Sequence, residues 1–253
     1  NQIAFLMLYY LFEQHSLRGT LPKKPLVLKS IVTSDLQTTI AEHFGGEVKD
    51  TLTGFKWMAA AWRELEIKDT DHTFFFASEE SFGYMPRNHV RDKDAVTAMV
   101  LMNEITLHYK LKDMTLVDAL DQIYDKLGYA QESLIALNFE GIEGQQKIAR
   151  IMDHFRNEHG MHVGTERITA FKDFKISKKT NLLTQEESKL DMTQSNVLGF
   201  EFESGNQLYI RPSGTEPKIK FYTMVKVKEG DLETKKDIAQ KQIDLIEKFI
   251  MGT

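Results

Sequence analysis

The segment Arg211-Pro212-Ser213-Gly214-Thr215-Glu216-Pro217-Lys218 combines residue types suited to gripping an anion. Arginine presents a planar fork of donors that matches two phosphate oxygens at once. Ser213 and Thr215 add hydroxyl donors, and Gly214 lets backbone N–H groups come close to an anion. Two prolines stiffen the stretch. Proline and glycine are also ordinary turn residues, so composition alone favours a plain hairpin loop.

Glu79-Glu80-Ser81-Phe82-Gly83 is the second candidate. In a loop, a carboxylate and a serine two residues apart face the same side and can hold adjacent hydroxyls of a sugar; a solvated acidic turn would look the same. Arg87-Asn88-His89-Val90-Arg91-Asp92-Lys93-Asp94 reads as a charged helix start, with Asp92 and Asp94 complementing the dipole. Thr53-Gly54-Phe55-Lys56 reads as a turn that opens a helix. His154, His159 and His162 are close in sequence, but the first two are five apart and do not share a helix face. They read as a solvated helix end, and Asp69-Thr70-Asp71 reads as a turn. No metal site is expected, and no glycine-rich dinucleotide or P-loop signature occurs.

The elements that must position these residues change character along the chain. In the first part strands and helices alternate. Pro25–Val32, Glu47–Leu52 and Thr73–Ala77 read as strands, the first a compact apolar run suited to a buried position. Thr33-Ser34-Asp35 offers cap chemistry for a helix that stops at Gly45-Gly46, and a second helix runs through Trp57, Ala61 and Leu65. Helices follow near Asp94–Tyr109 and Thr115–Leu127. This pattern predicts an α/β three-layer domain with a mainly parallel sheet over residues 1–128. Ligands of such sheets bind beyond the carboxyl ends of the strands, so the loops at Thr33, Thr53 and Glu79 are expected along one edge.

Residues 129–253 predict an α+β domain with an antiparallel sheet covered by helices. Leu134–Glu140 reads as a strand, followed by a helix with Ile148, Ile151, Met152 and Phe155 on one face. Residues 175–195 read as a long polar loop. Val197–Glu203 and Gln207–Ile210 form a hairpin signal, and Lys218–Val227 alternates, with Ile219, Phe221, Thr223, Val225 and Val227 inward. A last helix near Leu232–Ile250 presents Ile238, Leu245, Ile246 and Phe249.

The 253 residues include no cysteine, which excludes disulfides and thiolate sites and fits a reducing compartment. The net charge of −5 invites neither nucleic acid nor an anionic membrane as partner. The apolar run Ile3–Phe12 is too short to span a bilayer and reads as a buried helix. Its start at the first residue suggests a chain cut from something longer.

The string at Arg211–Lys218 resembles the phosphate loop in the last domain of the α-D-phosphohexomutases. The Glu79–Gly83 loop is similar to the sugar loop in the third domain of the phosphoglucomutases, although this chain carries Ala77-Ser78 where glycine often precedes the first Glu. The His89–Asp94 stretch and the Thr53-Gly54 turn resemble family segments in the same order. The resemblance covers the third and fourth of four domains, with boundaries at 1–128 and 129–253. It implies Glu79, Ser81, Thr53 and Gly54 as sugar-binding, Arg211, Ser213, Gly214 and Thr215 as phosphate-binding, and Lys93 as a candidate general acid or base. It implies a cytoplasmic phosphoglucomutase that interconverts glucose 1-phosphate and glucose 6-phosphate through a phosphoserine and a bisphosphate. Mg²⁺ and glucose 1,6-bisphosphate serve the full-length enzyme, and neither is expected on residues of this chain. The phosphoserine and metal domains are absent, so the partners are a phosphosugar and the missing N-terminal domains, and the chain alone is expected to be inactive. The alternatives are a mannose or pentose phosphate mutase and a non-catalytic phosphosugar-binding module.

Overall fold

A computed structural model of the chain describes residues 1–68, 71–157, 162–214 and 216–252. Two expected features, Asp69-Thr70 of the first turn and the helix end at His159, lie outside the described residues. The chain divides into two compact units: Asn1–Tyr129 with Lys228–Lys235, and Ala130–Val227 with Lys236–Thr253. The start of the last helix therefore belongs to the first unit, whereas the sequence reading assigns all of 129–253 to the second domain. The physical reason is Lys235, buried at 3% exposure. Its ammonium donates to the carbonyls of Tyr124 (3.3 Å) and Asp125 (3.1 Å) in the last turn of the helix that ends at Leu127; the Tyr124 carbonyl also accepts the Gly128 amide.

In the first unit, helix α1 (Gln2–Leu17) buries the unbroken run Ala4–Tyr10, as a helix apolar on every side must. Strand β1 (Pro25–Ser30) is buried throughout and lies at the centre of the sheet. It pairs in parallel with β2 (Glu47–Thr51) on one side and β3 (Thr73–Glu79) on the other. Helices α2 (Leu36–His43) and α3 (Phe55–Ile67) make the crossovers. Leu26, Leu28, Phe74, Met58 and Trp62 form the core between sheet and helix. A short strand β4 (Gly83–Met85) pairs antiparallel with β3, so the sheet order is β2-β1-β3-β4. Helix α4 (Ala95–Lys110) is capped by Asp94, whose side chain accepts from the Thr97 amide. Helix α5 (Leu116–Leu127) starts in a reciprocal Thr115/Asp118 capping box and ends at Gly128, φ 101°.

The second unit contains strands β5 (Tyr129–Asn138), β6 (His162–Val163), β7 (Glu166–Asp173), β8 (Lys178–Asn181), β9 (Glu187–Lys189), β10 (Leu198–Phe202), β11 (Gln207–Pro212) and β12 (Lys218–Val227). Their order is β5-β12-β11-β10-β7-β8-β9, with β6 beside β7, and the pairings from β12 to β9 are antiparallel. Helices α6 (Gly141–Asn157) and α7 (Leu232–Gly252) supply Ile148, Met152, Phe155, Ile246 and Ile250 to the core over Phe200, Leu208, Ile210 and Phe221.

Two expectations are corrected. Residues 175–195 are not a plain loop but contribute β8 and β9, whose partly exposed lysines and glutamates give no apolar alternation to read. Strand β12 buries Tyr222 and Met224 as well as the expected inward set, so both of its faces are covered.

Candidate functional site

In the first unit the three loops converge at the carboxyl edge of the sheet and are tied together by two adjacent carboxylates. Glu79, 8% exposed, accepts the amide N–H of Gly54 through Oε1. Glu80 Oε2 accepts from Ser30 Oγ at 3.0 Å and Thr33 Oγ1 at 3.5 Å, and the two hydroxyls lie 2.8 Å apart. Ser81 is exposed and donates to Glu80 Oε1 at 3.3 Å. The segment expected as a polar loop is thus a tight turn between β3 and β4. Phe82 takes the left-handed conformation there, φ 56°. Burial pushes the Glu79 carboxyl up, and Glu80 and Asp92 add to the shift; the Gly54 amide and Lys93 oppose it.

Lys93 joins the same cluster. Its ammonium lies 3.0 Å from Asp92 Oδ1 and 5.2 Å from the centre of the Phe55 ring. The Lys93 amide and ammonium together hold the Asp92 carboxyl below the usual range. Gly83 is required by this packing, since a Cβ there would sit 2.6 Å from Phe55 Cε2 and 3.2 Å from Lys93 Cδ. Gly54, φ 119°, stands at the N-cap of α3. The Thr53 hydroxyl is buried and has no hydrogen-bond partner among the described residues. The structure therefore brings Thr53, Gly54, Glu79, Ser81 and Lys93 into one neighbourhood.

Sequence reasoning missed Lys29 in this region. It is 2% exposed, 2.9 Å from Asp50 Oδ1 and 3.5 Å from Asp35 Oδ1, and it donates to the Thr33 carbonyl at 3.3 Å. A buried ammonium is costly unless paired and hydrogen-bonded, and these contacts fix the loop that carries Thr33. The signal was a single lysine inside the apolar run Pro25–Val32.

In the second unit, Arg211 and Pro212 end β11 and Lys218 begins β12. The turn between them is closed by Ser213 N–H to Lys218 O at 2.7 Å and Lys218 N–H to Glu216 O at 2.8 Å. Ser213 Oγ accepts the Glu216 amide at 3.3 Å. Gly214 is exposed with open space where a Cβ would stand, and Thr215 lies outside the described residues. Arg211, Pro212, Ser213, Glu216, Lys218 and Lys220 line a pocket of about 190 Å³. Arg211 stands directly opposite Lys220 in the ladder. Among the described residues neither of them, nor Lys218, forms an ion pair. Like charges placed opposite one another cost stability, and an anion bound between them removes that cost. No three of the His, Asp and Glu side chains described converge as a metal site would require. Nor is any described helix long and apolar enough to cross a membrane.

Residues 1–127 match the family profile described as phosphoglucomutase/phosphomannomutase, alpha/beta/alpha domain III. The phosphoglucomutase of Staphylococcus aureus strain MRSA252 is 37% identical over 241 residues, covering 95% of this chain and 41% of that relative. The phosphoglucomutase of strain N315 is 36% identical over the same extents. The chain thus spans 41% of the length of these relatives. Among solved structures, pp63/parafusin, a phosphoglucomutase from Paramecium in its open form, superposes with TM-score 0.61 at 19% identity, covering 98% of this chain and 42% of that one. A phosphoglucomutase/phosphomannomutase family protein from Burkholderia thailandensis gives 0.50 at 14% identity, covering 98% and 41%. At these identities the structural likeness speaks to the fold.

Proposed function

Because the chain belongs to the phosphoglucomutase/phosphomannomutase family, we propose that it is the sugar- and phosphate-holding portion of a phosphoglucomutase. The whole enzyme interconverts glucose 1-phosphate and glucose 6-phosphate through a phosphoserine and a bisphosphate intermediate. The observation that carries the reading is the like-charged pair Arg211 and Lys220, opposed in register beside a small pocket and matched by no carboxylate among the described residues. A dianionic phosphate suits that place. Arg211 grips two of its oxygens, while the Ser213 hydroxyl, the Gly214 amide and Thr215 donate to the rest. A charged hydrogen bond of this kind contributes about 1.5–3 kcal/mol.

A separate set of groups, in the first unit, suits sugar hydroxyls. The exposed Ser81 hydroxyl, the free oxygen of Glu79, Thr53 Oγ1 and the Gly54 turn are the groups that hold sugar hydroxyls. Holding Glu80 against Ser30 and Thr33 keeps Ser81 in place, and the Ser81 hydroxyl, which donates to Glu80 Oε1, keeps its lone pairs as acceptors. Lys93, hydrogen-bonded to Asp92 beside that loop, is the general acid or base candidate. These groups bind and orient; none is a phosphorylated nucleophile. Mg²⁺ and glucose 1,6-bisphosphate act in the full-length enzyme, and the metal is held by residues outside this chain.

The test is calorimetric titration of the 253-residue chain with glucose 1-phosphate, with glucose and inorganic phosphate as comparisons. Binding of the phosphosugar that Arg211→Ala removes supports the reading; binding that Arg211→Ala leaves intact refutes it. The isolated chain is expected to show no mutase turnover, and turnover above background would refute that part.

A further inference from the structure

One cavity is lined by none of the residues of the two candidate loops. It is a groove of about 910 Å³ in the first unit, running along the start of β3 between α1 and α4. Its floor is an open sheet edge. β4 covers only Ala77–Glu79 of β3, in register with Met85–Gly83. The next residue of β4 would be Pro86, which has no N–H to donate, and the chain turns away. Thr73–Phe75, which lines the groove, thus has no strand among the described residues on the side away from β1. Phe74 and Phe75 line the groove and are nonetheless buried, at 8% and 7% exposure, so the backbone there runs between two packed aromatic side chains. Buried backbone donors and acceptors are almost always paired, and an open edge invites an added strand.

The walls describe what would be added. The Tyr10 hydroxyl donates to Glu104 at 2.8 Å and ties α1 to α4 within the lining. Burial and this contact raise the Tyr10 phenol to about 12 and engage the Glu104 carboxylate. Arg18 and Arg87 also line the groove, and among the described residues neither side chain has a hydrogen bond or an ion pair. Val96 and Val100, 69% and 59% exposed, supply an apolar strip on the α4 wall. A backbone edge, two unmatched guanidinium groups and an apolar strip together fit an extended chain carrying carboxylates and apolar residues in alternation.

We propose that this groove receives an acidic, extended segment of a partner protein, added to β3 as a strand collinear with β4. The proposal does not depend on the phosphosugar reading, since none of the residues given a sugar, phosphate or proton-transfer role there lines the groove, although Arg87 and His89 belong to the segment that carries Lys93.

The probe is a fluorescein-labelled peptide alternating Glu and Val, titrated by anisotropy against the 253-residue chain, with a Lys/Val peptide of equal length alongside. The Glu/Val peptide is expected to bind at least about tenfold more tightly than the Lys/Val peptide. Arg18→Glu combined with Arg87→Glu weakens it by about tenfold or more, while Arg63→Glu on α3 leaves it unchanged. Amide hydrogen exchange within Phe74–Phe76 slows when the peptide is bound. No binding, equal binding of the two peptides, or unchanged exchange at Phe74–Phe76 overturns the proposal. Displacement of the peptide by equimolar citrate assigns the groove to small anions instead. A concentration-dependent dimer abolished by the double variant assigns it to a second copy, and either result also overturns strand addition.

Discussion

The turn after β3 and the turn after β11 both join antiparallel strands, yet they handle charge in opposite ways. At Glu79–Gly83 every carboxylate has protein partners: Glu79 takes the Gly54 amide, and Glu80 takes Ser30, Thr33 and Ser81. The turn is acidic but internally settled, and it presents a hydroxyl outward. At Arg211–Lys218 the backbone closes the turn, while Arg211, Lys218 and Lys220 stay unmatched by any carboxylate among the described residues. The first turn is organised by side-chain hydrogen bonds; the second leaves its cations without a carboxylate partner among the described residues. Sugar hydroxyls need directed acceptors in fixed places, whereas a phosphate needs net positive charge and tolerates a simpler arrangement.

The sharpest way to break the contrast is Arg211→Ala. It is expected to weaken glucose 1-phosphate binding by about 1.5–3 kcal/mol, or roughly ten- to a hundredfold. The urea midpoint should hardly move, because no protein group loses a partner. A large loss of stability would show that Arg211 is structural, and the contrast would fail.

Lys29→Met attacks the other side. Methionine fills the space but leaves Asp35 and Asp50 without their ammonium. Removing one partner of a sealed ion pair costs about 3–5 kcal/mol. Here Asp50 is 40% and Asp35 35% exposed, and water takes over part of that work. The expected loss in a urea titration is about 1–2 kcal/mol. A variant as stable as the parent would mean that the loop carrying Thr33 is held by its backbone alone.

Most of this was legible in the sequence, and the exceptions share a cause. Buried strands and amphipathic helices announce themselves through periodicity, so β1, α6 and β12 were readable from their residues. β8 and β9 were not, because β8 is half-buried along its whole length and β9, the edge strand, is exposed along its own, so neither alternates. Gly83 and the acidic pair marked the turn at Glu79, but not which carboxylate faces inward. That choice depends on Gly54 and Ser30, which are 25 and 50 residues away in sequence. The unmatched state of Arg211 is likewise a property of the register opposite it and not of its own neighbours in the chain.

Lys220→Glu sharpens the contrast by turning the second turn into a version of the first. It replaces a like-charged cross-strand pair with an opposite one, which is expected to raise stability by about 0.5 kcal/mol. The same change places a carboxylate beside Arg211 and should abolish phosphate binding. A gain in midpoint with binding lost is the expected pair of results. Binding retained would mean that the phosphate sits away from Lys220.

The smallest effect is expected from Glu79→Gln, and its sign is set by burial. The Glu79 carboxyl is raised above its unfolded value, first by burial and then by Glu80 and Asp92, against the pull of Gly54 N–H and Lys93. The native state therefore holds this proton more tightly than the unfolded chain does. Stability from Glu79 is present at low pH, below the unfolded carboxylate value, and is lost as pH rises through the raised native value. Glutamine cannot ionise but still accepts the Gly54 N–H, so it escapes that loss. Urea midpoints taken from about pH 4 to about pH 7 should show parent and variant diverging, with the variant the more stable at the upper end. Parallel curves would mean that the carboxylate is fully compensated by its partners. In that case the first turn would be poised as a charged acceptor rather than strained by its own burial.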